Sequence, residues 1–569
     1  MKSYYPITLH IHSVWERQAS MEGHFYNAQK LGIHHMYITD HDTCMGPRAN
    51  KVDCFDFSKG VLKVVEPSKD PLRPRWHGFT IVQQDEGTSA LLKDNALHME
   101  ATSDASSKDE WSTINLLFDT SQKRHEIALL ANAMMHLGLK ISENTKYNND
   151  VRVIIDVKLS QRPPEFQNAH IYYVFGNTEG LESPYITVKA MNTYVSDFPE
   201  NSTSYKRFAF SLLKDAVAVG GGDNTLNTVS FVVAARKGQS VKFAVDHMSF
   251  TRELEFEEGR KEQQRVADEI GKKYGVTPFV TTEITGAGRH KICFSTTVPI
   301  INYRALGYKV SDEEAMAHVR SYGGIYSRNH PFEHIKYKAT MEESPEVINE
   351  AKQEAVREFI EKRGWGATML EVGFPIGKSG FLLDDYLYLW DKLSLEGIFI
   401  SGYGASDSHA NSRGWYDENN FVGYIAAENP CEEEFIYGMK AGNLYTGDPV
   451  YLQNIEFAFV SDQGQMMGQV TVSANPGTAI LTLHNLPEDC KVVWTANGQT
   501  VKTEICTKDY QGTLCIPMNK KVNFVRAALY IGDRCILLTN PLFHTNDAEV
   551  IKHISVERKF EIQLHKKQN

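Results

Sequence analysis

Short apolar segments separated by helix-like segments recur along much of this 569-residue chain. Residues 7–12 alternate between apolar and polar side chains, which predicts a strand. A helical pattern follows from Gly23 to Leu31, and residues 35–39 predict a second, buried strand. Later apolar runs predict further strands at residues 277–282, 323–327, 367–370 and 397–401. Strands that alternate with helices in this way predict an α/β fold.

Some of the helices between these strands are marked by the residues that start them. Ser311-Asp-Glu-Glu314 has the pattern of a capping box, in which the first and last residues bond to each other's backbone. Ser344 followed by Pro345 predicts an N-cap with proline at the first helical position. Further helices are expected at residues 252–273, 384–395 and 432–440.

Two other parts of the chain lack the alternation with helices. Residues 60–250 contain many short strand-like runs with turn-rich pieces between them, which predicts a jelly-roll-like β-sandwich inserted after the second strand. Residues 449–569 predict a small C-terminal β-sandwich in the same way. The α/β part would then consist of residues 1–59 and 251–448.

Composition and charge exclude several classes of protein. The formal charge of −11 and the pI near 6.0 argue against a nucleic-acid-binding surface. No run of about 18 apolar residues is present, so no membrane partner is expected. The eight cysteines form no Cys-x-x-Cys pair, and His10 is too close to Met1 for a signal peptide to precede it. A cytoplasmic location is therefore expected.

Histidine and carboxylate residues, which are common metal ligands in proteins, occur near the predicted C-terminal ends of the α/β strands. His10 and His12 are two residues apart and leave a strand from the same face, and His41 follows the second strand. One His-x-His pair is more often structural, because histidine is commonly half-buried beside a polar partner. Repetition at several strand ends instead predicts a metal centre, since imidazole and carboxylate bind Zn, Fe and Mn. The candidates are His10, His12, Glu22, Asp40, His41, Glu283, His330, Asp407 and His409, with His290 and Glu371 as possible additions.

In their order along the chain, these motifs resemble those of the PHP (polymerase and histidinol phosphatase) superfamily. The matching pieces are His10-x-His12, Thr39-Asp-His41, the strand with Glu283, His330-Pro-Phe332 and Ser406-Asp-Ser-His409. Three later pieces resemble the carbaryl-hydrolase-like (CehA/McbA) branch of metallohydrolases: Ala441-Gly-Asn-Leu-Tyr-Thr-Gly447, Phe524-Val-Arg526 and Thr539-Asn-Pro541. The resemblance covers residues 1–60 and 270–545 and does not include the insert.

The resemblance implies a distorted (β/α)7 barrel that holds two or three divalent ions of Mn, Fe or Zn. By the family pattern, one ion would be held by His10, His12, Glu283 and Asp407. A second would be held by Glu22, His41 and His409, and a third by Glu283, His290 and His330. This chain departs from the family pattern at Met21-Glu22-Gly23, where Ser-Asp-Gly is frequent. His290 lies in a turn-like stretch, so a plain surface position is its alternative.

The resemblance also implies hydrolysis, most often of phosphoesters, by a water molecule that the ions activate. A carboxylic ester, carbamate or amide fits the same site, and the sequence does not separate these classes. Arg48 and Arg328 are candidates to hold phosphate, with a surface salt bridge as the alternative for each. Asp42 is expected to orient a ligand or relay a proton.

A hypothesis of another class makes the chain a glycan-binding protein with a vestigial barrel. The insert would then bind sugar through aromatic side chains, although such side chains are more often part of a core. The candidates are Trp76, Trp111, Tyr172, Tyr173 and Tyr185. For the hydrolase, we expect a small-molecule or glycan-type phosphoester substrate, with the insert forming part of its cleft.

Overall fold

The fold consists of two compact units. The computed structural model describes residues 3–16, 19–42, 57, 61–64, 78–106, 110–119, 134–142, 145, 148–191, 205–251, 256–301, 303–306, 310–332, 344–375, 378, 380–410, 415–417, 419–487 and 490–552. Described residues within 1–12, 25–43 and 267–569 form unit 1. Those within 13–24 and 44–266 form unit 2.

The chain begins with the strand–helix–strand sequence that its pattern predicts. The elements are β1 (Ser3–Thr8), α1 (Met21–Lys30) and β2 (His35–Ile38). β1 and β2 pair in parallel, with Ile7 opposite His35. The first strand ends earlier than expected, so His10 and His12 lie beyond it in an extension with a single bridging residue, Ile11.

Unit 2 consists mainly of antiparallel strands. They are β3 (Val61–Val64), β4 (Gly78–Gln84), β5 (Thr88–Lys93), β6 (Ala96–Thr102), β7 (Ser112–Asp119), β8 (Met134–Ile141), β9 (Val151–Arg162), β10 (Gln167–Gly176), β11 (Ile186–Ala190), β12 (Lys206–Ser211), β13 (Leu226–Ala235) and β14 (Ser240–Thr251), with α2 (Leu212–Asp215) after β12. One sheet has the order β11-β10-β9-β13-β7-β4-β3, and the other has the order β12-β8-β14-β6-β5. Alternate residues of both sheets, such as Phe231 and Phe243, share one apolar core.

The hairpin of β5 and β6 was not expected from the sequence. Asp94 and Asn95 connect its strands, and both have positive φ, at 54° and 58°. Two central residues with positive φ are typical of a type I′ turn, which matches the twist of the flanking strands. The Asp-Asn pair was therefore the local signal for this hairpin.

The aromatic residues proposed for sugar contacts in unit 2 have different surroundings. Tyr173 is buried in the core, whereas Tyr172 is half-buried. The ring of Trp111 lies under the guanidinium groups of Arg152 and Arg236, at 4.3 and 4.7 Å. Trp76 lies outside the described residues.

After α3 (Phe256–Tyr274), the α/β pattern continues in unit 1. The elements are β15 (Thr277–Val280), β16 (Thr282–Ile284), β17 (Lys291–Phe294), α4 (Asp312–Ser321), β18 (Ile325–Arg328), α5 (Pro345–Glu361), β19 (Met369–Gly373), α6 (Leu383–Leu395), β20 (Ser401–Gly404), β21 (Val422–Ala427), α7 (Glu432–Ala441), β22 (Leu444–Gly447) and α8 (Pro449–Leu452). Ser311 and Glu314 form the expected capping box, and Ser344 caps α5 with Pro345 in its first turn.

The C-terminal strands belong to unit 1, and most of them join its largest sheet. They are β23 (Glu456–Ser461), β24 (Val470–Val472), β25 (Thr478–His484), β26 (Cys490–Ala496), β27 (Gln499–Cys506), β28 (Tyr510–Cys515), β29 (Val522–Ile531), β30 (Arg534–Thr539) and β31 (Leu542–Thr545), followed by α9 (Glu549–Lys552). The sheet has the order β15-β2-β1-β21-β22-β30-β29-β26-β27, and β24 and β31 pair at its side. The pairing of β22 with β30 makes this region continuous with the rest of unit 1, and the small C-terminal sandwich at residues 449–569 stays a prediction.

Two smaller sheets complete unit 1. One has the order β16-β17-β18-β19-β20, in which β18, β19 and β20 pair in parallel. The other consists of β23, β25 and β28. Among the helices that the structure describes, none has the length and apolar character needed to cross a bilayer.

β20 lies later in the chain than the apolar run at residues 397–401 indicates. It includes Gly402 and Gly404, which intrinsic strand preference disfavours. A Cβ on Gly402 would lie 2.5 Å from Trp390, and one on Gly404 would lie 2.4 Å from the Thr446 hydroxyl. The two glycines thus let neighbouring side chains pack closely against this strand.

We expect Gly404→Ala to lower the free energy of unfolding by about 1–3 kcal/mol, since the added methyl group overpacks the space beside Thr446 and Phe421. Gly477→Ala is the matched control, because its new Cβ would meet its nearest neighbour at an ordinary 3.5 Å. Denaturant unfolding of both variants measures the difference. Equal stability of the two would contradict the packing explanation.

Candidate metal centre

The histidine and carboxylate side chains of unit 1 that are candidate metal ligands lie within strands or just after them, and these strand ends are close together. His10 and His12 follow β1, and His41 follows β2. Glu283 lies in β16, and His290 is in the turn between β16 and β17. Three further ligand candidates follow β18 or β20: His330, Asp407 and His409.

Backbone contacts hold the strand extensions together. Ile11 forms an isolated parallel bridge with Ser408, and the His12 amide donates to the Ser408 carbonyl at 2.9 Å. His41 forms a second isolated bridge with Glu283. The ligand-bearing residues at positions distant in sequence are thereby placed side by side.

One group of ligand atoms surrounds the carboxylate of Asp407. Its Oδ1 lies 2.9 Å from Nε2 of His12 and 3.2 Å from Nε2 of His10. The two Nε2 atoms are 3.1 Å apart. The His409 ring stacks on His12 with a centroid separation of 4.0 Å. The two nitrogens and the oxygen are presented to one small volume.

A second group surrounds the carboxylate of Glu283. Its Oε2 lies 2.7 Å from Nε2 of His41, and its Oε1 lies 3.2 Å from Nε2 of His330 and 3.3 Å from Nδ1 of His290. Nε2 of His10 is 3.5 Å from Oε2, so this ring faces both carboxylates. Glu283 is 1% exposed and therefore has no bulk water to compensate its charge.

Within unit 1, three sets of ligand atoms combine imidazole with carboxylate, each with all atoms within 4.8 Å of one another. The sets are His10, His12 and Asp407; His10, Glu283 and His330; and His41, Glu283 and His290. His12, His41 and His409 also present ring nitrogens within that distance of one another. Mixed imidazole and carboxylate donors at this spacing fit Zn, Fe or Mn. The residues present therefore fit the ions that the sequence implies.

Electrostatic coupling between the rings and carboxylates shifts their pKa values. Burial lowers the pKa of His10, but the carboxylates of Asp407 and Glu371 outweigh burial and raise that pKa to about 10. Burial raises the pKa of Glu283, yet His10 and His41 hold that pKa well below its usual range. The Glu283 carboxylate is thus ionised and matched by positive charge. Divalent ions supply the same compensation and displace the protons from their ligands.

A set of polar residues behind the ligands fixes their orientation. Nδ1 of His10 lies 2.7 Å from Oε1 of Glu371, which leaves Nε2 facing the ligand group. Glu371 also accepts from the His330 amide at 2.5 Å and from the Tyr403 hydroxyl at 3.4 Å. The side-chain amide Nδ2 of Asn329 donates to Oε1 of Glu283 at 2.7 Å. Glu371, a possible ligand by sequence, is therefore a partner of His10.

Asp42 and Lys378 complete the surroundings of the ligands. Oδ1 of Asp42 accepts from the Thr285 amide at 2.9 Å and from the Gly286 amide at 3.2 Å. These bonds hold the turn that leads to His290. The ammonium group of Lys378 donates to Oδ2 of Asp407, and this cation together with His10 keeps the pKa of Asp407 low against the effect of burial.

Three other predicted residues lie elsewhere. Arg328 is 1% exposed, donates to Asp312 at 3.1 Å and stacks over Trp365 at 4.2 Å, so its guanidinium group takes part in a buried ion pair. Glu22 belongs to unit 2, where its carboxylate lies 3.7 Å from Arg162. Its role as a ligand stays a prediction. Arg48 lies outside the described residues.

Sequence reasoning missed Asn329, Tyr403 and Lys378. Asn329 directly precedes His330, and this adjacency to a ligand was a usable signal. Tyr403 lies between the two glycines of β20, and the sequence around it did not indicate that its buried hydroxyl would bond to Glu371. Lys378 is distant in sequence from any ligand motif, and only the fold places it beside Asp407.

Comparisons with known proteins do not assign the chain to a family. No family model matches it, and no curated protein matches it. Among solved structures, the one described as "Structure of PfGH50B" is 8% identical over 30% of this chain, with a TM-score of 0.15. That match spans 22% of the other chain, and at this TM-score it supports no argument about fold or function.

Proposed function

We propose that unit 1 is a multinuclear metal-dependent hydrolase of the PHP type and that phosphoesters are its substrates. The observation that carries this proposal is the meeting of two carboxylates, Glu283 and Asp407, whose side chains are 1% and 9% exposed, with imidazoles from separate strand ends. A purely structural role for so many buried titratable groups is costly, because each buried charge requires a partner. A site for ions accounts for all of them together.

The ions would be held by the three ligand sets, with Glu283 shared between two of them. When bound, divalent ions lower the pKa of a water molecule and polarise the bond that it attacks. Glu371 keeps the His10 ring in the orientation that presents Nε2 to the ligand group. Asn329 orients Glu283, and Asp42 holds the turn before His290.

Lys378 favours an anionic substrate. Its ammonium group lies against Asp407, next to the ligand nitrogens of His10 and His12. A positive charge in this position attracts a phosphate oxygen and compensates the charge that develops on it. With Arg328 committed to Asp312, Lys378 is the cation that we assign to this task.

The proposal also includes a distorted barrel in unit 1. The sheets β15-β2-β1 and β16-β17-β18-β19-β20 are separate by regular pairing, but two isolated bridges link them. Ile11 with Ser408 joins the end of β1 to the segment after β20, and His41 with Glu283 joins the end of β2 to β16. These bridges support a ring of strands whose ligand-bearing ends surround the ions. The two sheets of unit 2, which share one core, support a β-sandwich domain inserted into that ring.

Metal analysis tests the proposed centre directly. We expect protein reconstituted with Mn²⁺, Fe²⁺ or Zn²⁺ to retain at least about two ions per chain after desalting, as two-metal sites require. Asp407→Asn and Glu283→Gln should each lower both the metal content and the turnover, whereas Asp533→Asn, on an exposed turn, should change neither. Less than one ion per chain after reconstitution would refute the proposal.

Glu371 has a separate prediction because it acts through His10. We expect Glu371→Gln to weaken metal affinity by about 10–100-fold, since such partners of a ligating histidine typically have effects of this size. Tyr403→Phe should have a smaller effect, because its hydroxyl is 3.4 Å from Glu371 while His10 is at 2.7 Å. Titration with a competing chelator measures both affinities. The reverse order of the two effects would contradict the assigned role.

The substrate class is tested with a panel of nitrophenyl phosphate monoesters and diesters, a carboxylic ester and a carbamate. We expect the phosphoesters to give the highest kcat/KM, because Lys378 places positive charge at the ligand group. Glu283→Gln measures the background for each substrate. A clear preference for the carboxylic ester or the carbamate would show that a carbonyl hydrolase is the correct assignment.

A further inference from the structure

A cavity in unit 1 shares no residue with the ligand groups of the metal centre. It has a volume of about 380 Å³ and lies between one face of α6 and the sheet formed by β26, β27 and β29. Arg526, Ala528 and Tyr530 line it from β29, where their alternation places them on the same face. From α6, residues at helical spacing line it, among them Asp384, Tyr388 and Lys392.

A buried ion pair forms one wall of this cavity. The guanidinium group of Arg526 donates to both carboxylate oxygens of Asp391, at 3.0 and 2.9 Å. Their side chains are 6% and 11% exposed. The bidentate geometry fixes the helix to the strand and neutralises both charges. The wall is therefore rigid and polar without a net charge.

Other polar groups around the cavity are not used by the fold. The carboxylate of Asp384, the hydroxyl of Thr495 and the amide of Gln499 have no hydrogen-bond or ion-pair partner among the described residues. The ammonium group of Lys392 lies over the ring of Tyr388, 5.2 Å from its centroid. Thr495 is a largely buried residue that lines the cavity, whereas Asp384 and Gln499 are exposed at its edge. Their donors and acceptors therefore face the cavity and can bond to polar atoms of a ligand.

The chemistry of the lining limits the class of that ligand. The cavity has two acidic and two basic side chains, so a strongly charged ligand gains little from it. Carboxylate and hydroxyl acceptors stand beside amide and ammonium donors, and the rings of Tyr388 and Tyr530 add apolar surface. A neutral molecule with many hydroxyl groups and apolar C–H faces satisfies all of these at once. The volume lies within the roughly 300–1,000 Å³ that is typical of small-molecule sites.

We propose that this cavity between α6 and β26–β27–β29 is a carbohydrate-binding site for a short, neutral saccharide. Asp384, Gln499 and Thr495 would bond to sugar hydroxyls, and Tyr388 and Tyr530 would contact the sugar rings. The site goes beyond the proposed hydrolase activity and does not depend on it, because it would bind sugar with or without ions in the metal centre.

The test is binding of neutral disaccharides to the full chain. Maltose, cellobiose, lactose and chitobiose are the probes, and saturation-transfer NMR and calorimetry are the measurements. We expect at least one of them to bind, and Asp384→Asn and the near-isosteric Thr495→Val each to weaken that binding by about tenfold, as loss of a buried hydrogen bond does. Glu396→Gln, an exposed substitution at the end of α6 outside the cavity, is the matched control and should bind as the unmodified chain does.

Circular dichroism and metal content check that each variant is folded. Unchanged metal content with lost sugar binding supports the cavity as an independent site. The proposal is overturned if no disaccharide binds below about 10 mM, or if binding is the same in both folded cavity variants and the control. Binding of free amino acids without binding of sugars would also overturn it.

Discussion

The pairing of two buried carboxylates with surrounding imidazoles is the constraint on which the α/β part of unit 1 depends. Glu283 and Asp407 are almost fully shielded from solvent, and a carboxylate without a partner in such a place is strongly destabilising. His10, His12, His41 and other rings supply that partner at 2.7 to 3.6 Å. The strand ends that carry these side chains must therefore converge. The isolated backbone bridges of Ile11 with Ser408 and of His41 with Glu283 hold these ends together.

Further buried polar groups behind the ligands fix the orientation of the ligand side chains. Glu371 interacts with His10, the His330 amide and Tyr403 at once, so one carboxylate couples three strands. The bond from Asn329 to Glu283 has a similar effect on the second carboxylate. A network in which each member has a partner is rigid, and rigid ligands bind ions without a large cost of reorganisation.

Most of the C-terminal strands extend the same sheet that contains β1 and β2, while β23, β25 and β28 form a sheet of their own. β22 pairs with β30, and Arg526 on β29 is fixed to Asp391 on α6 by two hydrogen bonds. The last part of the chain therefore supports the α/β part through both backbone and side-chain contacts. It also forms, with α6, the polar cavity to which we assign saccharide binding.

The sequence by itself determined the local elements and most of the candidate ligands. The capping box at Ser311 and the N-cap at Ser344 depend only on neighbouring residues, and both were predictable for that reason. Histidines and carboxylates at repeated strand ends were likewise visible as a pattern, and the structure brings His10, His12, Glu283 and Asp407 together. Local patterns, however, carry no information about which strands become neighbours. Tertiary structure alone decided that β22 pairs with β30 and that Lys378 lies against Asp407, because these contacts join residues that are far apart along the chain. It also decided that Arg328 pairs with Asp312, a carboxylate that Arg328 shares with Lys291.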